Sequence, residues 1–142
     1  TYIKKLLNLF KSFFTFTCMN NEFANENPKK DLGFILSLAA LLLFTLMGVG
    51  IDYDEFLQKD EINIPDFYFL LIFFVDFLMI VGLVLIYFYR KIGIYLFPIA
   101  VVLHFMMHNY YLSTFLYTDV TNLFLYISVG LLAIIPKWQF FK

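Results

Sequence analysis

Four ionisable residues stand inside otherwise apolar stretches of this sequence: Asp76, His104, His108 and Asp119. His104 and His108 are one helical turn apart, about 40° around a helix axis, so on a helix both rings point in one direction. Two imidazoles at this spacing can bind one metal ion, and an imidazole beside a carboxylate can pass a proton. These residue types therefore indicate a metal site or a pathway for ions or protons.

A metal site needs more ligands than two histidines. The further donors in the sequence are Asp76, Asp119, Met106 and Met107. The sequence predicts no cofactor, and His104 and His108 are weak candidates for metal binding. Depth in a membrane favours two pairs, Asp76 with His104 near the midplane and Asp119 with His108 in the outer leaflet.

A carboxylate near the centre of a bilayer costs at least ~2.5 kcal/mol on insertion scales, so Asp76 should face a partner inside the protein. One hypothesis is an ion or proton pathway through Asp76 and His104. Its further residues would be His108 and a polar line on the last apolar stretch: Asp119, Asn122 and Tyr126. The alternative is that these side chains form interhelical hydrogen bonds that only stabilise a helix bundle.

The composition identifies the protein class that must position these residues. Hydrophobic residues make up 62% of the chain and charged residues 15%, against about 25% charged in soluble domains. Four apolar stretches are long enough to cross a bilayer, at about 32–51, 67–89, 92–112 and 116–135. The sequence therefore predicts an all-α membrane protein, with four transmembrane helices in an antiparallel bundle over residues 32–142.

The first span has no charge and contains most of the small residues of the chain. They are Gly33, Ser37, Ala39, Ala40, Gly48 and Gly50. Small side chains let helices approach closely in lipid, so this span is predicted to be a packing centre, either within the chain or against another chain.

Residues 1–18 alternate apolar and polar positions at helical spacing, which is typical of an amphipathic helix in the membrane interface. Lys4, Lys5 and Lys11 lie on its polar face and would contact anionic lipid headgroups. A cleaved signal peptide and a helix docked on the cytoplasmic side of the bundle are the alternatives. Residues 19–31 form a polar linker. The single cysteine, Cys18, excludes an intrachain disulfide.

The charged residues predict an orientation. Residues 52–66 contain six carboxylates and one lysine and are expected to form an acidic loop in water. In the four-span arrangement nine basic residues lie on one side of the membrane and only Lys59 on the other. The positive-inside rule therefore predicts that both termini lie in the cytoplasm. We expect the protein in the inner (cytoplasmic) membrane.

Several function classes find no support in the sequence. It has no Gly-rich phosphate loop, no Gly-x-Ser-x-Gly elbow and no nucleic-acid recognition motif, so we predict neither an enzyme nor a nucleic-acid-binding protein. The layout is similar to that of many small four-helix bacterial membrane proteins, some of which accompany toxins, defence systems or larger complexes. The leading hypothesis is a non-enzymatic protein that self-associates or serves as an accessory or effector subunit with a partner protein. An ion or proton pathway is the first alternative and a membrane metalloprotein the second.

Overall fold

The computed structural model describes residues 29–112 and 117–142, and for residues 117–119 it describes the backbone alone. Of these residues 89% are helical and none lies in a strand. The interfacial helix at 1–18, nearly all of the linker at 19–31 and the start of the fourth span lie outside the described residues. The expectations for those segments, including the contact of Lys4, Lys5 and Lys11 with lipid, stay predictions.

The described chain is a succession of helices. They are α1 (Leu32–Leu57), α2 (Lys59–Ile62), α3 (Asp66–Tyr87), α4 (Lys91–Leu112) and α5 (Tyr117–Ile134), followed by a 3₁₀ helix at Ile135–Phe140. Four helical stretches, three of them α1, α3 and α4 and the fourth at Val120–Phe140, are long and apolar enough to span a membrane. The predicted fold class is confirmed: this is a multi-pass all-α membrane protein whose four spanning helices form an antiparallel bundle.

Helix α1 is longer than the sequence pattern predicted. It begins at Leu32, where the Asp31 side chain accepts a hydrogen bond from Phe34 N (3.2 Å), and it continues past Ile51 to Leu57. The chain between Ile51 and Asn63 contains no Gly or Pro to stop a helix. The expected acidic loop at 52–66 is therefore corrected: its first six residues are helical, because apolar length alone does not decide where a helix ends.

Helices α3 and α4 make the closest contact in the bundle. A Cβ atom added to Gly93 would lie 2.7 Å from Ile86 N and 2.8 Å from Gly82 O, and one added to Gly82 would lie 2.9 Å from Phe97 Cβ. The two helices therefore meet backbone to backbone, which only glycine permits. Their connection is correspondingly short, residues 88–90.

The small residues of α1 do not make an equally close contact within the chain. A Cβ atom added to Gly33 or Gly50 would have no neighbour within 4 Å, and one added to Gly48 would meet only Tyr126 Oη, at 4.0 Å. The closest helix approach is thus at Gly82 and Gly93 rather than on the first span. Packing of α1 against another chain stays a prediction.

Three segments meet at one end of the bundle, which we call the basic end. Its residues are Lys29, Lys30, Arg90, Lys91, Lys137 and Lys142. The backbone N–H of Lys142 donates to Tyr89 O (2.9 Å), and that of Lys91 donates to Lys142 O (2.9 Å). The buried Lys137 ammonium donates to Lys29 O (3.0 Å). These bonds hold the start of α1, the α3–α4 connection and the C-terminal residues together.

The apolar core fills the half of the bundle towards the basic end. It includes Phe34, Leu38, Leu41, Leu83, Ile86, Phe97, Ala133 and Ile134. The other end carries Asp54, Asp60, Glu61 and Asp66, and we call it the acidic end. Between this end and the apolar core, two carboxylates, Asp52 and Asp76, are buried.

Candidate functional site

The buried face of α1 carries a carboxylate into the bundle. Its buried residues are Phe34, Leu38, Leu41, Thr45 and Asp52, at the three-, four- and seven-residue spacing of one helix face. Because α1 does not stop at Ile51, the same face continues through Asp52, which is 1% exposed, to the partly buried Glu55. Sequence reasoning missed both residues by assigning them to an aqueous loop.

His104 on α4 lies between two of these carboxylates. Its Nε2 atom is 2.8 Å from Asp52 Oδ2 and 3.3 Å from Asp76 Oδ1. The expected pair of Asp76 and His104 is therefore brought together, and Asp52 is an additional partner from α1. One imidazole nitrogen thus faces two carboxylates, although it can share a single proton with only one of them at a time.

His108 continues the same face of α4 towards the acidic end. Its Nε2 atom is 3.2 Å from Glu55 Oε1. The two imidazole rings are nearly parallel, with centroids 6.2 Å apart and an interplanar angle of 12°. The sequence expected Asp119 as the partner of His108; the side chain of Asp119 lies outside the described residues, so that pairing stays a prediction.

Three buried polar atoms at this end of the bundle have no hydrogen-bond partner among the described residues: Asp76 Oδ2, Glu55 Oε2 and Tyr68 Oη. An unsatisfied buried polar group costs about 1–3 kcal/mol, and more if it is charged. The cluster also combines three carboxylates with two imidazoles. When all three carboxylates are ionised, the charge of the cluster is negative even if both imidazoles carry a proton, and in that state the cluster favours an additional cation.

A cavity of about 400 Å³ adjoins the cluster. It is lined by residues 44–55 of α1, by Asp76 and Met79, by residues 101–108 of α4 and by residues 122–126 of α5. Asn122 and Tyr126, two of the three polar residues expected on the last span, are among the lining residues. The cavity lies on the acidic-end side of Leu41 and Phe97, which belong to the apolar core.

The ligand atoms fall into two sets that share Asp52. Asp52, Asp76 and His104 form one set, and Asp52, Glu55 and His108 form the other; within each set the ligand atoms lie within 4.8 Å of one another. The two methionines that the sequence offered as ligands lie elsewhere. Met106 is 60% exposed. Met107 packs against the apolar core and against a second buried apolar cluster formed by Tyr68, Phe69 and Ile72.

The other charged residues of the described chain lie at the two ends of the bundle. Lys59 donates to Asp66 Oδ1 at 2.6 Å, and this hydrogen bond raises the pKa of the Lys59 ammonium above its usual range. The remaining basic residues of the described chain are those of the basic end. The acidic end therefore presents a mostly negative surface next to the cavity, which raises the local concentration of cations.

Comparisons of the chain with protein-family models, with curated proteins and with solved structures found no match.

Proposed function

We propose that this protein binds a cation inside its helix bundle and carries it across the membrane. The observation that supports this proposal is the buried cluster of three carboxylates around two imidazoles, in which Asp76 Oδ2 and Glu55 Oε2 have no hydrogen-bond partner among the described residues. Carboxylates inside membrane spans are rare because of their insertion cost, and they typically mark ion pathways. This proposal develops the first alternative from the sequence.

The alternative of purely structural hydrogen bonding accounts less well for the cluster. Two helices can be joined by one His–Asp pair, as His104 and Asp76 would do alone. Asp52 is a second buried carboxylate beside the same His104 nitrogen. Its charge repels that of Asp76, and a neutral imidazole gains no further hydrogen bond from it. A bound cation converts that repulsion into attraction, which is why we favour a cation site over a structural network.

The route to the site would start at the acidic end. The carboxylates there attract cations. The cavity extends from the cluster towards the apolar core, so a cation arriving from the acidic end would meet the cluster first. On the other side the apolar core, including Leu41 and Phe97, closes the bundle.

Transport therefore needs a second conformation of the bundle. Pro98 lies within α4 next to this barrier, and it removes the hydrogen bond to Ile94 O, which makes this turn the natural bending point.

The proposed orientation follows the distribution of basic residues. The basic end would face the cytoplasm and the acidic end the outside, in the inner (cytoplasmic) membrane, with cations entering from outside. Both termini would then be cytoplasmic.

The test is cation flux in proteoliposomes containing the purified protein. Flux of protons, monovalent ions and divalent ions is measured separately with ion-sensitive dyes. Asp76→Asn keeps the shape of the side chain and removes its charge, so flux should fall at least tenfold while the thermal melt stays similar. Asp31→Asn, which changes an exposed carboxylate outside both ligand sets and away from the acidic end, is the matched control. Equal flux through wild type and Asp76→Asn would refute the proposal.

Self-association is a second candidate function, and the outer face of α1 favours it. Ala39 and Gly50, three turns apart, lie on one exposed face with Leu36 and Leu43, which are each 57% exposed. Small residues on a lipid-facing surface let a second copy of this helix pack closely. In a Cys18→Ser background, Ala39→Cys should cross-link between chains in membranes and Phe74→Cys, on the exposed face of α3, should not. Equal cross-linking at both positions would indicate random collision.

A further inference from the structure

We infer that the bound cation is a divalent transition-metal ion, with Asp52, Asp76 and His104 as ligands and with Asp52 shared by a second ligand set, Glu55 and His108. This inference rests on the proposed function only in requiring that the buried cluster bind a cation. It goes beyond that function by naming the ion class and the ligand atoms.

The separations of the ligand atoms fit a metal of this size. Zn²⁺ binds imidazole nitrogen and carboxylate oxygen at about 2.0–2.2 Å, so neighbouring ligand atoms in a tetrahedral site are about 3.3–3.6 Å apart. His104 Nε2 is 3.3 Å from Asp76 Oδ1 and 2.8 Å from Asp52 Oδ2. The His104–Asp76 separation fits such a site, the shorter His104–Asp52 separation requires Asp52 to move outward, and all three ligand atoms lie within 4.8 Å of one another. The cavity offers room for a water molecule as the fourth ligand.

The ligand types select the class of metal. Imidazole suits Zn²⁺, Fe²⁺, Ni²⁺ and Cu²⁺, whereas Ca²⁺ and Mg²⁺ prefer oxygen ligands alone. The two ligand sets consist of carboxylates and imidazoles, whereas Cu⁺ prefers thiolate and thioether donors. A divalent transition metal is therefore the cation whose preferred ligands include the imidazole and the carboxylates of each set.

A metal ion would also satisfy the unpartnered atoms. Asp76 is 3% exposed, and its Oδ2 atom has no hydrogen-bond partner in the described part of the chain. Metal coordination supplies the missing interaction for such an oxygen. In the second set, the buried Oε2 atom of Glu55 also has no hydrogen-bond partner among the described residues. The two sets have Asp52 in common, so its carboxylate could contribute to binding in either of them.

The test uses tag-free full-length protein in detergent, stripped with a chelator and then titrated with Co²⁺ and Zn²⁺. Wild type should take up at least one ion per chain by elemental analysis, and Co²⁺ should give a visible d–d spectrum that Zn²⁺ abolishes. His104→Gln and Asp52→Asn should weaken binding by at least ~100-fold, because each removes a direct ligand. Asp31→Asn, which changes a carboxylate outside both ligand sets at the other end of α1, should bind as wild type does. Thermal melts and gel-filtration profiles of each variant establish that it is folded.

Two results would overturn the inference. The first is metal content below about a tenth of an ion per chain; the second is equal affinity of wild type and both ligand variants. Flux of protons or monovalent ions without metal binding would overturn the inference and leave the proposed function standing. Stoichiometric metal binding without flux of any cation would refute the proposed function and leave the inference standing.

Discussion

His104 Nε2 on α4 lies 2.8 Å from Asp52 Oδ2 on α1, across 52 positions of the sequence. The contact connects the last turns of α1 to the middle of the bundle, where Asp76 of α3 also meets His104. The three helices that build the site are therefore held together by the residues that would bind the cation. Binding and bundle stability should consequently depend on each other.

The first prediction follows from this dependence. A metal ion that binds only the folded bundle stabilises it by about 2.7 kcal/mol at a hundred times its dissociation constant. Adding Zn²⁺ to chelator-stripped wild type should therefore raise the melting temperature by several degrees. Asp52→Asn should abolish this rise, because Asp52 belongs to both ligand sets. The measurement is a thermal melt in detergent with and without Zn²⁺. A similar rise in wild type and variant would contradict the prediction.

The second prediction ranks the two histidines. His104 Nε2 lies 2.8 and 3.3 Å from oxygens of two carboxylates. His108 Nε2 lies 3.2 Å from Glu55 Oε1, and the ligand atom of its second carboxylate, Asp52, lies within 4.8 Å. His104→Gln should therefore weaken Co²⁺ binding by at least ten times as much as His108→Gln, as measured by spectroscopic titration. Each variant serves as the control for the other, since both remove one imidazole from the same helix face. If His108→Gln weakened Co²⁺ binding more than His104→Gln did, the main site would be the set of Asp52, Glu55 and His108.

The sequence predicted the bundle because its signal is strong and local. Apolar length locates spanning helices, and Asp76 and His104 share a depth in the membrane, so their contact could be anticipated. Asp52 could not be found in the same way, because the density of charge in 52–66 suggested water. The signal that would have revealed it is the absence of any helix-stopping residue before Asn63, whose backbone is left-handed (φ 54°). Read as helix, Asp52 falls on the face of Thr45.

The glycines show a second limit of sequence reasoning. Six glycines occur in the chain, and the first span looked richest in small residues. The close approach instead uses Gly82 and Gly93, which lie among large apolar residues in the next two spans. Which helix meets which is decided by the turn at 88–90 and by side-chain packing, and neither can be deduced from residue size alone.

The third prediction tests that contact. Gly82→Ala and Gly93→Ala would each place a Cβ atom within 3.0 Å of the opposing helix, and overpacking of this kind typically costs about 1–3 kcal/mol. Both variants should lower the melting temperature in detergent. Gly33→Ala and Gly50→Ala are the matched controls, since an added Cβ there meets nothing within 4 Å. They should be neutral or slightly stabilising, because alanine favours helix by up to ~1 kcal/mol. Equal losses at all four positions would argue against the described α3–α4 contact.

The fourth prediction concerns the basic end. Lys137 is 1% exposed; its ammonium donates to Lys29 O (3.0 Å) and lies 3.9 Å from Asp31 Oδ2. Lys137→Met keeps the length of the side chain and loses a hydrogen bond from a charged donor, worth about 1.5–3 kcal/mol. The melting temperature should fall. Lys142→Met, at an exposed position of the same end, should leave it unchanged, and a comparable fall there would mean that charge alone, not the buried bond, is responsible.

The last prediction tests the direction of the proposed transport. Gln58 lies at the acidic end and Gln139 at the basic end, and both are exposed. If the basic end faces the cytoplasm, a cysteine at Gln58 in a Cys18→Ser background should react with an impermeant maleimide on intact cells. A cysteine at Gln139 should react only after permeabilisation. The reversed pattern would place the acidic end and its cavity inside the cell, so that the site would load from the cytoplasm and the transport would run outward. Labelling of both positions from one side would contradict the four-span arrangement itself.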